Sequence, residues 1–317
     1  TILKPRPTPP VLANVSETKE GTGEFVLQDV YAGISPPVER GQVKYIRVVE
    51  EVRSNLRQLP DGAYQNDHVE FMDWYATPTH KVSGPYGWPT YVAKAPHGIV
   101  PVEADGSAHF KAPAGRTLYF QALDEKGLAV QSMRSATYLH PGERMTCQGC
   151  HESKQRPPSL ASKSPLAMQR APDKIRPDVS GSNPFSFVRL VQPALDRNCV
   201  SCHQEKKTLD LTSAIEGKYG WTRSYNNLAA KYGFYFHVSN GSINRGIHGG
   251  SRTVAGQFGA AASPLLRFLD QRHYGVKLSA EDYHRITLWL DCNSEFYGAY
   301  EKTEAQARGE IVMPSLE

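Results

Sequence analysis

The chain has 317 residues, 39% hydrophobic and 21% charged, with a formal net charge of +4. This is enough for one large or two ordinary domains with real cores. No apolar run approaches the ~20 residues of a membrane-spanning helix, and the lysines and arginines are spread along the chain, which argues against a nucleic-acid stripe.

The chain opens at Thr1 with TILKPRPTPP, without a charged segment leading into an apolar one. The chain is therefore expected to be either a mature form after signal removal or, as the Pro-rich opening favours, a piece of a longer protein in which residues 1–21 are a linker leaving an upstream domain. Residues 22–145 are expected to form a β-rich domain. EFVLQDVYAGI and QVKYIRVVEEV carry β-branched and aromatic residues, and VPVEADGSAHF, TLYFQALDEKG and LAVQSMRSATYL follow as a meander. Its turns fall at Asp105-Gly106 and Glu125-Lys126-Gly127. Leu118, Phe120 and Ala122 alternate with Tyr119 and Gln121, the period of a half-buried strand. An antiparallel β-sandwich is the expectation.

Residues 154–184 turn rich in Pro and Ser without a sustained period and read as an extended connector. The last third reads as helical. Ser263 and Pro264 open SPLLRFLDQRH, with Gly275 as its stop, and Ser279 caps a second helix with Asp282 in the capping-box position. Tyr283, Ile286 and Leu290 form that helix's apolar stripe, with Trp289 alongside and His284 off it, facing solvent. The fold class is thus α+β: a sandwich-like domain, then a mainly α-helical region over 146–317.

Four of the five cysteines occur as CQGCH at 147–151 and CVSCH at 199–203. Covalent attachment of haem through two thioethers needs two thiols about one helical turn apart, and an imidazole directly after them is held beneath the iron. Cys147 and Cys150 with His151, and Cys199 and Cys202 with His203, supply those groups twice. A zinc ribbon also pairs CxxC motifs, but ~15–20 residues apart and with no need for a histidine after each. A thioredoxin-like pair would sit in a βαβ unit, and none surrounds either motif. The reading is two haem c groups, which places the protein in the periplasm, outside the cell or on its surface. Cys292 is left without a partner and reads as a small buried thiol at a helix end.

The second axial position on each iron separates a wire from a catalyst. His273, before the turn between two helices, is the candidate for the second haem. His109 is expected on the outer face of its strand. For the first haem His80, His97, His140, His237 and His248 stay open, and Met133 and Met145 are no stronger.

Longer segments carry a resemblance. DGSAHFKAPAGRTLYFQALDEKGLAVQSMRSATYLHPGERMTCQGCHE is similar to the approach to the first haem in hydrazine synthase alpha-subunit-like proteins. VQPALDRNCVSCH, LDLTS and SPLLRFLDQRHYGVKLSAEDYHRITLWLDCNSEFYG resemble that family's second haem region, and DVYAG and VERGQVKYIRVVEE its middle domain. The resemblance implies a β-rich middle domain followed by a dihaem region, without the propeller found upstream in that family. It also implies that His203 and His273 hold the second haem. In the hydrazine-forming subunit a tyrosine four residues past the first motif's histidine ligates that haem, while the histidine binds zinc. Gln155 stands at that position here, and no tyrosine follows before Tyr219. This departure argues against that ligation and against hydrazine synthesis.

The expected function is electron transfer between redox partner proteins rather than catalysis. Two alternatives stand beside it. One is a haem enzyme whose open first iron meets a small nitrogen or oxygen species. The other is a docking or binding module that happens to carry haem, with Trp74, Tyr86 and Trp88 available to stack on a ligand.

Overall fold

β-branched and aromatic alternation turns the first half of the chain into strands. In this computed structural model the described residues are 21–52, 56–66, 88–89, 93–133, 135–151, 164–217, 220–234, 237–238 and 253–314. The strands in chain order are β1 (Thr22–Leu27), β2 (Tyr45–Glu51), β3 (Leu56–Gln58), β4 (Tyr64–Asn66), β5 (Trp88–Pro89), β6 (Lys94–Pro101), β7 (Ala108–Pro113), β8 (Leu118–Leu123), β9 (Ala129–Ser132) and β10 (Arg144–Cys147). One sheet runs β6-β2-β8-β9 and is antiparallel throughout. A second runs β10-β1-β7, and β3 pairs with β4 and β5 with the later β11 (His237–Val238) as two-stranded ribbons. Phe25 and Phe110 from the second sheet meet Phe120 of the first edge-on, at centroid distances of 4.9 and 5.6 Å. Such pairs contribute about 0.5–1.5 kcal/mol each beyond the area they bury.

Three expectations need correction here. The sheets are not wholly antiparallel, because β10 lies parallel to β1, with Cys147 opposite Leu27. β8 is not half-buried: Leu118 and Ala122 face the apolar core, and Tyr119 and Gln121 on the other face are buried too. A central strand flanked by β2 and β9 is covered on both sides once helical segments pack on its outer face. His109 does alternate away from Phe110, but that outer face is also covered. There His109 is buried and shares Glu24 with Arg144.

The part of the connector from residue 164 onward is not a free spacer. It forms a short 3₁₀ turn at Leu166–Gln169, then pairs Asp173 with Phe110 and Arg176 with Ile99 as isolated bridges. It is a strap over the sheet edges, held by backbone hydrogen bonds.

Helices α1 (Phe187–Leu190), α2 (Gln192–Asn198), α3 (Val200–Glu205) and α4 (Arg223–Tyr232) follow, then the short strand β11 (His237–Val238). α5 (Gly259–Ala262), α6 (Ala280–Asp291) and α7 (Thr303–Ala307) complete the described elements. The architecture is α+β, and its second half consists of short helices joined by turns. Ser263 does cap, its hydroxyl accepting from the Leu265 N–H, but Pro264–Phe268 closes as a 3₁₀ helix. Ser279 accepts the Asp282 N–H at 3.0 Å, and Ile286, Trp289 and Leu290 of α6 are buried. Trp289, Tyr225 and Phe296 pack around Phe187 at 5.1–5.6 Å. No helix of the described residues is long and apolar enough to cross a membrane.

A buried ionic seam ties the sheets to α6. Arg47 of β2 is fully buried and donates to Gln121 Oε1 and Asp291 Oδ2, both at 2.9 Å, to the Gly127 carbonyl at 3.1 Å, and to Asp178 of the strap. Asp291 also accepts the Ala260 and Ala129 N–H groups at 2.9 and 3.2 Å. His284 reaches the other oxygen of Asp178, so it is not a solvent-facing side chain. Burial alone would raise the Asp178 carboxyl, but Arg47 and His284 outweigh it and hold it at about 2. Cys292, at the end of α6, is fully buried, and burial pushes its thiol up to about 12.

Candidate functional site

The two CxxCH motifs sit in different frames. Cys147 is the last residue of β10, and residues 148–151 leave the strand as an irregular turn. The first motif is therefore not helical. Pairing with β1 keeps the chain extended as far as Cys147, and the turn then folds onto the loop after β1. The contact there is backbone on backbone: the His151 N–H points at the Ala32 carbonyl at 3.4 Å. Gly33, at φ 83°, lies where a Cβ would come within 1.8 Å of the His151 carbonyl oxygen. A Cβ on Gly149 would come within 2.4 Å of the Ala32 carbonyl oxygen. Two glycines at facing positions are what let these loops touch.

Burial, with Cys147 beside it, raises the Cys150 thiol to about 12. His151 is exposed, and its ring makes no hydrogen bond or ring contact among the described residues. The proposed partners for this site lie elsewhere or outside the described residues. His97 is bound to Glu50 at 2.8 Å, and His140 packs on Tyr138. The Met145 sulfur accepts from the Thr137 hydroxyl at 3.3 Å inside the sandwich. His80 and His248 fall outside the described residues, as do Gln155, Trp74 and Tyr86, while only the backbone of Trp88 and His237 is described.

The second motif is helical. Cys199 links α2 to α3, and Cys202 and His203 lie within α3, so the two thiols stand one turn apart. Burial, then the charge of Asp282, raises the Cys199 thiol to about 11. His203 is oriented by its neighbours. Its Nδ1–H donates to the Leu209 carbonyl at 3.0 Å, with the Thr208 hydroxyl at 3.1 Å. That bond assigns the proton to Nδ1 and leaves Nε2 with its lone pair free to bind a metal.

His273 faces this imidazole, with ring centroids 6.1 Å apart and planes at 45°. It does not end a helix. It lies in the turn after the 3₁₀ segment, where its N–H bonds the Asp270 carbonyl and its own carbonyl accepts the Val276 N–H, each at 3.0 Å. Phe268 and Tyr274 each pack edge-on against it at 5.2 Å. Burial, and then His203, lowers its pKa below the ordinary histidine value, so its neutral, ligating form is favoured.

Sequence reasoning missed the Leu209 carbonyl and Thr208, which orient His203, and the ionic seam. The seam had a signal: Arg47 stands inside the apolar run YIRVV, where a charge has to be paired if both faces of the strand are covered. A cavity of about 480 Å³ between α2 and α6 is lined by Arg189, Arg197, Ser279, Asp282 and Arg285 among others, and by none of the motif residues.

A family described as the hydrazine synthase alpha subunit middle domain matches residues 41–152, from just before β2 through His151. The hydrazine synthase subunit alpha of Kuenenia stuttgartiensis is 24% identical over a match covering 40% of this chain and 22% of that protein. The solved hydrazine synthase of the same organism shares the fold, with a TM-score of 0.59 at 17% identity over 88% of this chain and 43% of its own. The matched regions thus span less than half of either relative.

Proposed function

We propose, for this hydrazine synthase alpha-like chain, that it is a dihaem c-type cytochrome that passes electrons between redox partner proteins. In this reading residues 22–145 are a β-rich platform and residues 146–317 carry both haems. Cys147 and Cys150 hold one covalently, and Cys199 and Cys202 the other. His151 would ligate the first iron, and His203 and His273 the second.

The observation that supports this most is the pair His203 and His273. Two nitrogens bound on opposite sides of one metal at ~2 Å each put their ring centres about 6 Å apart. The observed 6.1 Å matches that spacing. The group, when bound, supplies a one-electron iron couple. The chain's own residues do the rest. Leu209 and Thr208 hold His203 in one tautomer, and the turn at 270–276 holds His273 opposite it. With His203 and His273 both holding the group, the second site would leave no place for substrate and would pass electrons by proximity. Haem c attachment happens outside the bacterial inner membrane, so the compartment is periplasmic, extracellular or cell-surface.

A second reading rests on the exposed ring of His151. In this reading a first haem held by His151 would be reached by a small nitrogen or oxygen species, and the protein would act as an enzyme. The name of the relative, a synthase, fits this reading equally well.

One spectroscopic titration separates the two. The native protein should carry two haems by mass after denaturation and bind no carbon monoxide under the electron-transfer reading. Stoichiometric binding at one haem, with rapid turnover of hydroxylamine, nitric oxide or peroxide, would hand the protein to the enzyme reading. His273→Ala should keep the second haem attached while turning its spectrum partly high-spin and opening it to carbon monoxide. An unchanged spectrum would remove His273 as ligand.

A further inference from the structure

The turn that carries His273 also pushes an aromatic ring into water. Tyr274 is 77% exposed at a backbone φ of 50°, a left-handed conformation that is strained for a non-glycine residue. Contacts run outward from it without a break. Lys206 Nζ stands 4.4 Å from the centre of the Tyr274 ring, and Tyr274 touches His273. His273 touches Phe268, itself 38% exposed, which meets Tyr232 at 5.6 Å. Lys231 Nζ lies 5.3 Å over the Tyr232 ring. Lys207, also left-handed at φ 50°, and Arg267 and Lys277 are exposed beside these residues in sequence.

None of Lys206, Lys207, Lys231, Arg267 and Lys277 makes an ion pair among the described residues. The nearby carboxylate of Asp270 is already held by Arg272. Elsewhere on the surface Arg144, Arg170, Arg197, Arg223 and Arg308 each have a carboxylate. The face over His273 is therefore an aromatic centre flanked by Lys206 and Lys231, each set over one of its rings, the anatomy of a docking patch.

We infer that this face, with Tyr274 at its centre, Lys206 and Lys231 over its rings and the exposed Arg267 and Lys277 next to it in sequence, docks an acidic one-electron carrier protein at the second haem. The inference rests on the electron-transfer reading. The carrier loses one electron, and the ferric iron held by His203 and His273 gains it, so no bond is made or broken. Unpaired cations around an exposed ring steer an acidic partner into place and speed encounter, an effect that salt suppresses. Haem propionates, two per haem, could engage some of these cations but leave a surplus.

Stopped-flow reduction of the intact haem-loaded protein by an acidic ferredoxin tests it, with a neutral quinol as a reductant that needs no docking. The ferredoxin rate should fall steeply as salt rises, while the quinol rate stays flat. The triple variant Lys231→Glu, Arg267→Glu, Lys277→Glu should slow the ferredoxin about tenfold or more at low salt and leave the quinol rate and the haem spectrum unchanged. Tyr274→Ala should weaken ferredoxin binding to the oxidised protein, measured calorimetrically. A ferredoxin rate indifferent to salt and to the triple variant would overturn the docking face while leaving electron transfer standing. Loss of haem or a changed spectrum in the triple variant, with association intact, would assign those cations to the cofactor and overturn it as well. Failure of both reductants would remove the electron-transfer reading itself.

Discussion

The same motif, CxxCH, is held in two ways in one chain. At residues 147–151 a strand pairing keeps the chain extended up to the first cysteine, and two glycines bring the turn against the loop after β1. At residues 199–203 a helix presents the thiols one turn apart, and a carbonyl and a hydroxyl fix the histidine. The first histidine ends exposed, and the second faces another imidazole. A five-residue motif thus specifies chemistry but not conformation. Its backbone follows whatever the flanking residues build, and the metal-facing geometry comes from elsewhere in the chain.

The largest expected effect comes from cutting the seam that ties the four-stranded sheet to α6, on the side of the second frame. Arg47→Ala leaves Asp178 and Asp291 buried without their cation and should cost about 3–5 kcal/mol, read as a drop in urea midpoint. His203 and His273 should lose their fixed separation before the first motif loses its packing, since β1 and β10 do not depend on Arg47. Simultaneous loss at both motifs would show that the two frames are one cooperative unit.

Gly33→Ala attacks the first frame alone. A Cβ at φ 83°, 1.8 Å from the His151 carbonyl oxygen, forces the loop after β1 away from the motif, at about 1–3 kcal/mol. Amide exchange should quicken at 148–151 and stay unchanged in α3. Equal quickening in α3 would contradict the separation of frames. Thr208→Val is the matching change in the second frame. It removes one partner of His203 Nδ1 but leaves the Leu209 carbonyl, so it should cost about 1 kcal/mol or less and leave the first motif untouched.

The smallest effect is one of pH. His273 is depressed by burial and by His203, so in haem-free protein it should titrate below about 6.5 by NMR. The unfolded chain takes up this proton first. Stability present above pH 6.5 should therefore slip as pH falls from there to the folded value of His273. A titration at or above 6.5 would mean that the two imidazoles do not face each other in solution.

Much of this was legible in the residues. The strands at 22–27, 45–51, 108–113 and 118–123 follow from β-branched and aromatic runs bounded by Gly turns, and α6 follows from Ser279, Asp282 and its apolar stripe. Cys292 is the buried helix-end thiol that its lack of a partner suggested. The misreadings share one cause. Local periodicity, alternation for His109, Tyr119 and Gln121 and the helical stripe for His284, tells which face a side chain takes but not whether something packs on that face. The strap residues 173–178 and helix α6, distant in sequence, cover those faces.

The amino-acid sequence by itself determined the doubled motif, the strand-rich first half and the cap of α6, because each depends on neighbours a few residues away. Tertiary structure alone decided that Arg47, Asp178, His284 and Asp291 share one buried site, that His273 stands 6.1 Å from His203, and that His151 stays exposed. Those pairings span tens to hundreds of residues, and only the packing of sheet, strap and helix against one another brings such partners within reach.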